Sequence, residues 1–323
     1  MEIGQILDKE ERKKGRPLSS EILNLLMPVD SFVLAEARKL SALKGVRSED
    51  LATCVAQDPV LVIEFLKSAN AICLSEGKPV LSSIMRAIDR LGSQSIGRLL
   101  KTLSKRQRFS SDEVNHWFEI HRSRCKRTSI VARILAETLA KHLADEVQLS
   151  GLFLNFGDLV TVSHLMEEYV SLAEEFQRGA LAYRIYHAYK FEPQELGLLY
   201  LRKFGLPENL LAPLDQEGIL KPEKAIMKII IASAGEMIDY FDANKWEKLS
   251  PGSILPSKST LRLLVITKMQ YLKVYERATE YLNEVRKFEL RQSNNVVKEE
   301  LEPIYDPQIE FTSQEDKIQK EIH

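Results

Sequence analysis

The chain has 323 residues with a formal net charge of −1, and 44% of its residues are hydrophobic. This length permits one large domain or two domains with a substantial core. A near-neutral chain is not a strongly basic nucleic-acid-binding protein, although it can carry a local basic patch. No apolar run reaches membrane-spanning length and the segment 1–20 is charged rather than signal-like, so we expect a soluble, cytoplasmic protein with no membrane partner. The cysteines Cys54, Cys73 and Cys125 have no paired spacing, which favours a reducing compartment.

The amino-terminal region begins with a charged segment, residues 1–17, that we expect to be a flexible lead-in. Helical patterns of apolar residues follow at 19–43, and Ser48 is placed to cap another helix. The next helix start is better defined, because Asp58 can cap the first turn and Pro59 suits the first helical position.

A helical hairpin is predicted after this cap. Only four residues from 60 to 73 are not apolar, namely Glu64, Lys67, Ser68 and Asn70, which indicates a central helix buried on most of its circumference. Asn70 lies where this helix meets a loop, so we expect its amide to bond to loop backbone. A second helix has apolar residues at i, i+3, i+4 and i+7 and ends at Gly92, a residue that tolerates left-handed backbone. From the cap alone, Asp58→Ala is expected to cost about 1 kcal/mol of stability.

The rest of the chain also has helical patterns. No proline occurs between Pro79 and Pro193, so long helices can run there without a forced break. Alternating strand patterns are absent from the sequence, and we predict an all-α fold. A last long helix is predicted at 259–290, whose apolar stripe either packs on its own domain or forms a homodimer. The acidic segment 291–323 lacks an apolar pattern and is expected to be a disordered tail.

Motifs of common enzyme classes are absent from the sequence: it has no glycine-rich phosphate loop, no zinc-protease motif and no Cys-x-x-Cys pair. His142 and Asp145 are three residues apart and share a helix face, which could supply half of a metal site. The interpretation we favour for them is an exposed helix pair. We therefore predict no catalytic residue, no bound metal and no cofactor.

The residues of the hairpin resemble a known family. The run 57–70 begins Gln-Asp-Pro and ends Ala-Asn, and it is followed by Ser83-Ile84, Ala87-Ile88 and Leu91-Gly92. This pattern is similar to the HDOD domain, a bacterial signalling module related to HD-type metal-dependent phosphohydrolases. Further similar segments lie at 129–140, 151–160, Leu196-Gly197 and Leu206-Pro207. The resemblance implies a multi-helix bundle with an N-terminal helical subdomain, 18–106, and a degenerate HD-like helical half, 107–290.

The chain departs from this resemblance at the metal ligands. Thr128 stands where an HD enzyme has its first histidine, and Leu154-Asn155 stands in place of the His-Asp pair. Leucine cannot bind a metal, and threonine and asparagine are weak neutral ligands, whereas a hydrolytic site needs imidazole or carboxylate. The resemblance therefore implies a non-catalytic protein of bacterial signal transduction that binds other signalling proteins or a small effector.

Two alternative functions are open. The first is an HD-type phosphohydrolase with non-standard metal ligands, for which the candidates are His142, Asp145 and His164. The second is a binder of nucleic acid or another anionic partner, because the segment 98–127 has nine Lys or Arg and three acids, with Trp and Phe among them. Its candidate surface residues are Arg122, Arg124, Lys126 and Arg127, and reversing the charge of these arginines should then leave the fold intact. If the segment 98–127 has no binding function, we interpret it as a solvated linker between the two halves.

Overall fold

The computed structural model describes residues 25–43, 45–215, 220–244, 249–250, 262 and 266–301, with side chains up to 287. Within these ranges the chain forms α-helices and two 3-10 turns and contains no strand, which confirms the all-α prediction. The helices are α1 (Ser31–Ala42), α2 (Ser48–Val55), α3 (Pro59–Ser75), α4 (Ile84–Leu103), α5 (Asp112–Leu139), α6 (Ala144–Phe153), α7 (Phe156–Leu165), α8 (Glu167–Glu175), α9 (Arg178–Tyr189), α10 (Pro193–Lys203), α11 (Glu208–Leu211), α12 (Pro222–Ala243) and α13 (Lys268–Leu301). The predicted lead-in 1–17 lies outside the described residues. None of the described helices combines the length and apolar character that crossing a bilayer requires.

The hairpin predicted from the sequence is present. Helix α3 begins at Pro59, and the Asp58 carboxylate accepts a hydrogen bond from the backbone N–H of Leu61 at 2.7 Å, as a helix cap should. Every residue from Val60 to Leu66 is buried, whereas Lys67, Ala71 and Leu74 form an exposed face on the second half of the helix. Helix α3 is therefore the core element of the amino-terminal half, as its composition predicted.

The Asn70 amide fastens α3 to the loop before α4. Its Nδ2 donates to the carbonyl of Leu81 at 3.2 Å, and its Oδ1 accepts from the Leu81 N–H at 2.6 Å, which confirms the predicted backbone bonds. We expect Asn70→Leu to lower the free energy of unfolding by about 1–3 kcal/mol, because both Leu81 groups lose their partner. Urea denaturation checks this, and an unchanged midpoint would contradict the assigned role.

Gly92 divides α4 into two helical segments. Its φ of 69° and ψ of 162° are not helical, and helical backbone resumes directly after it and runs to Leu103. The predicted left-handed glycine is confirmed, and the first helical segment ends at it, with the second segment following across a kink.

Helix α5 is the centre of the carboxy-terminal half. Helices α6, α7, α12 and α13 pack against it, and α3 contacts it from the amino-terminal half. The segment 98–127 forms the end of α4, a loop and the first half of α5, which is buried at Val114, Phe118 and Cys125. The solvated-linker interpretation therefore does not hold for the part of this segment within α5, 112–127, whereas the loop before it is largely exposed.

The final helix, α13, packs on its own chain. Tyr271, Tyr275, Ala278 and Leu282 are buried, and the helix lies along α5. The apolar stripe predicted for a homodimer is thus used inside the subunit, which is the first of the two interpretations. The helix continues to Leu301, into the segment predicted as a tail, and 302–323 lies outside the described residues.

Two glycines let α7 and α10 approach each other closely. A Cβ on Gly197 would lie 2.7 Å from the Cα of Gly157, and a Cβ on Gly157 would overlap the carbonyl oxygen of Pro193. Real Cβ atoms do not come this near to backbone, so both positions need glycine. This contact fixes the direction of α7, whose first turn contributes to the site below.

Candidate functional site

A cleft of about 2050 Å³ opens beside α5 in the carboxy-terminal half. Its floor includes Arg124 from α5, Asn155 and Asp158 from the start of α7, and Asp239 and Asp242 from α12. Helices α8 and α9 form a wall that includes aromatic residues. The three positions at which the sequence departs from an HD metal site lie in or directly behind this floor.

Thr128, Leu154 and Asn155 are in contact with other protein groups. The Thr128 hydroxyl donates to the carbonyl of Arg124 at 2.9 Å and accepts from Asn155 Nδ2 at 3.1 Å. Leu154 is half-buried and packs against α12 near Gly235. No group of three or more His, Cys, Asp or Glu that could hold a metal occurs within the described ranges. The residues at these positions therefore do not fit a hydrolytic metal centre.

An arginine lies among the oxygen atoms of the floor. Arg178, the first residue of α9, donates through Nη2 to Asn155 Oδ1 at 2.7 Å and to Asp158 Oδ2 at 3.2 Å. Its Nη1 donates to Asp239 Oδ1 at 2.5 Å. A single guanidinium thus joins α9 to both α7 and α12, and it saturates oxygen atoms that could otherwise hold a cation.

Two further arginines approach the same carboxylates from α5. Arg124 pairs with Asp239 and, at 2.6 Å, with Asp242, and Arg127 lies 3.0 Å from Asp242. Burial lowers the pKa of Arg124 to about 10, and the positive charge of Arg178 adds to this effect. The arginines of the floor are therefore neutralised by carboxylates of their own chain.

The predicted basic surface is corrected by these contacts. Arg122, Arg124 and Arg127 are all buried, and Lys126 is half-buried and donates to Gln57 Oε1 at 2.9 Å. A buried arginine needs a partner, and the partners lie far away in the sequence. Reversing these charges would place carboxylates beside carboxylates, so we now expect these substitutions to disrupt the fold.

A buried histidine and tyrosine complete the inner end of the cleft. His121 Nε2 lies 2.6 Å from the Tyr169 hydroxyl, and the ring stacks on Trp117. Its Nδ1 is 3.7 Å from Asp158 Oδ2, outside hydrogen-bond range, and burial lowers the pKa of His121. Burial also raises the pKa of Tyr169, so both groups are neutral near pH 7.

Other candidate ligands do not join this site. His142 is exposed, and Asp145 accepts from Arg133 at 3.1 Å. His164 lies against the ring of Phe191. These three residues form no metal-binding group in the described structure. The residues that sequence reasoning missed are Arg178, Asp158, Asp239 and Asp242. The three-residue spacing of Asp239 and Asp242, which puts two residues on one face of a helix, was a usable signal.

The HDOD domain family model matches residues 27–217, more than half of the chain. The chain belongs to the HDOD family. Solved structures agree on the fold: the MmoQ response regulator of Methylococcus capsulatus has a TM-score of 0.60 at 18% identity, with 78% of this chain and 98% of that chain covered. A virulence factor of Campylobacter jejuni has a TM-score of 0.61 at 13% identity, with 88% and 98% covered. No curated protein matches the sequence significantly.

The buried histidine of this HDOD protein predicts a pH dependence of stability. Because the folded pKa of His121 is below its usual value of 6.5, the unfolded chain binds the proton first as the pH falls. Stability is therefore expected to decrease below pH 6.5, by up to about 1.4 kcal/mol per pH unit. The free energy of unfolding is measured by urea denaturation at several pH values between neutral and mildly acidic. Its slope against pH should be smaller for His121→Gln than for wild type. The exposed control, His142→Gln, should keep the wild-type slope, and equal slopes in all three proteins would contradict the assignment.

Proposed function

We propose that this HDOD protein is a non-catalytic bacterial signalling protein that works by binding a partner protein or a small effector in the cleft. The cleft volume of about 2050 Å³ is sufficient for either kind of ligand. The likeness to a response regulator, MmoQ, supports a role in signal transduction, and we propose that this role is played in the cytoplasm. Free, buried cysteines are compatible with that compartment.

The observation that carries the non-catalytic part is the arginine in the floor. Hydrolysis by an HD-type centre requires a metal that lowers the pKa of a bound water. Here Asn155, Asp158 and Asp239 are all hydrogen-bonded to the Arg178 guanidinium. A guanidinium supplies a fixed charge but has no open coordination position for water. These residues therefore support binding rather than hydrolysis.

Elemental analysis of the purified, dialysed protein tests this directly. We expect no stoichiometric Mn, Fe, Mg or Zn and no hydrolysis of phosphodiesters or nucleotides above background when metals are added. The triple variant Thr128→His, Leu154→His, Asn155→Asp should also bind metal poorly, because Arg178 still holds the neighbouring oxygens and ligands need supporting partners. One tightly bound metal per wild-type chain, together with turnover, would refute the proposal.

The binding part is tested by affinity capture from the cell that makes the protein. Wild type is compared with Tyr183→Ala, which removes an exposed ring of the cleft, and with Tyr240→Ala, which removes a ring from α12 outside the cleft lining. Partners that are lost only with the cleft variant support the proposal. Identical captures by all three proteins would place binding elsewhere.

A further inference from the structure

We infer that the cleft binds an arginine- or lysine-containing segment of a partner protein. This inference rests on the proposed function and adds the chemistry of the ligand. Three features of the cleft carry it: its unpaired carboxylates, its exposed aromatic rings, and the arginine of its own chain that it already holds.

The charge of the cleft lining is acidic. Eight carboxylates and four arginines line it. Arg124, Arg127 and Arg178 are paired with carboxylates of the floor. Four other carboxylates are exposed and, in the part of the chain that the structure describes, have no ion-pair partner: Glu174, Glu175, Glu192 and Glu236. The charge left for a ligand is therefore negative.

Aromatic rings lie beside these carboxylates. Tyr183 and Tyr186 on α9 are 62% and 45% exposed. Trp117 on α5 is half-buried at the inner end of the same cleft. The faces of Tyr and Trp attract cations, and these residues are enriched at the energetic centres of protein interfaces. An acidic cleft with exposed rings favours a cation attached to apolar groups, which describes arginine and lysine side chains.

Arg178 shows how the floor recognises a guanidinium. Three oxygen acceptors from two helices, Asn155 Oδ1, Asp158 Oδ2 and Asp239 Oδ1, surround one arginine head group. Such planar, charge-assisted contacts are the strong form of arginine recognition. A partner arginine beside Arg178 would enter a cleft that is also lined by the unpaired carboxylates of α8 and α12.

An anionic ligand such as a nucleotide is less favoured. The buried arginines would have to give up Asp239 and Asp242 before they could bind a phosphate, which would leave those carboxylates unpaired in the floor. The exposed glutamates would also repel the phosphate.

Fluorescence anisotropy tests the inference with two labelled peptides. One is a short peptide of alternating arginine, alanine and leucine, and the other is its copy with neutral citrulline in place of every arginine. We expect the arginine peptide to bind at least about tenfold more tightly at low salt, and its affinity to fall as salt is added.

Matched variants locate the site. Glu174→Gln, Glu175→Gln and Glu236→Gln together should weaken the arginine peptide about tenfold and flatten its salt dependence. The control triple, Glu195→Gln, Glu223→Gln and Glu280→Gln, changes the net charge equally at exposed positions outside the cleft and should bind as wild type does. All six substitutions are at the surface, and thermal melting confirms that both variants remain folded.

The outcomes separate this inference from the proposed function. Three results would overturn the inference that the cleft binds a cationic segment. They are equal binding of the two peptides, no binding of either peptide, and equal weakening of binding by the two triple variants. None of these results would be evidence of a bound metal or of catalytic turnover, so the non-catalytic proposal would still stand. A bound metal with hydrolysis would instead refute the proposed function.

Discussion

Replacing Arg122 with methionine is expected to lower the free energy of unfolding by about 3–5 kcal/mol, because it leaves the Asp58 carboxylate buried without its cation. Asp58 has no exposed surface, and its Oδ2 lies 3.2 Å from Arg122 Nε and accepts from the Asp30 N–H at 3.0 Å. Arg122 Nη2 also donates to the Pro28 carbonyl at 2.5 Å. The pair joins α5 to α3 and to the segment before α1. Urea denaturation measures the effect through the midpoint and slope.

Two further proteins make this expectation specific. Arg98→Met removes an exposed arginine of the same basic segment and should change stability by less than about 0.5 kcal/mol. The double variant Asp58→Asn, Arg122→Met removes both charges and should lose less stability than the two single variants together, since no lone charge stays buried. Equal effects of Arg122→Met and Arg98→Met would show that the ion pair is not structural.

The same pair revises the expectation for Asp58 itself. A helix cap alone predicts a loss of about 1 kcal/mol for Asp58→Ala. In the fold this carboxylate serves the cap, the Asp30 N–H and the Arg122 guanidinium together. The loss of stability on removing Asp58 should therefore exceed that of a helix cap alone. Burial raises the pKa of Asp58, and the positive charge of Arg122 is the main influence that lowers it.

Gly157→Ala is expected to destabilise the protein by about 3 kcal/mol or more, or to prevent folding, because its Cβ would overlap backbone of α10 and no side chain can move aside. Gly197→Ala should act in the same direction, since its Cβ would meet the Cα of Gly157. Thermal melting and the yield of soluble protein check both variants.

A third glycine serves as the control. Gly97 lies in α4, and a Cβ there would meet nothing within 4 Å. Gly97→Ala should therefore stabilise the helix by about 0.5–1 kcal/mol, the usual difference between glycine and alanine in a helix. If Gly157→Ala melted like Gly97→Ala, the close approach of α7 and α10 would be refuted.

The sequence by itself determined the local elements and the family. The cap at Asp58, the amide bonds of Asn70, the left-handed Gly92 and the buried helix α3 follow from interactions between residues close in the chain. The resemblance to the HDOD domain rested on the same segments. It also placed Thr128, Leu154 and Asn155 together, and the structure brings them to one cleft.

Only the tertiary structure decided which arginines are inside. Arginine is read as exposed by default, because burying an unpaired charge is strongly unfavourable. Arg122 meets Asp58, and Arg124 meets Asp239, only after α3 and α12 have packed on α5. Arg178 reaches three acceptors on two helices through the placement of α9. Helix periodicity and capping act over a few residues, whereas these pairs depend on which helices pack together. For that reason Arg122, Arg124 and Arg127 looked like surface residues in the sequence and are buried in the fold.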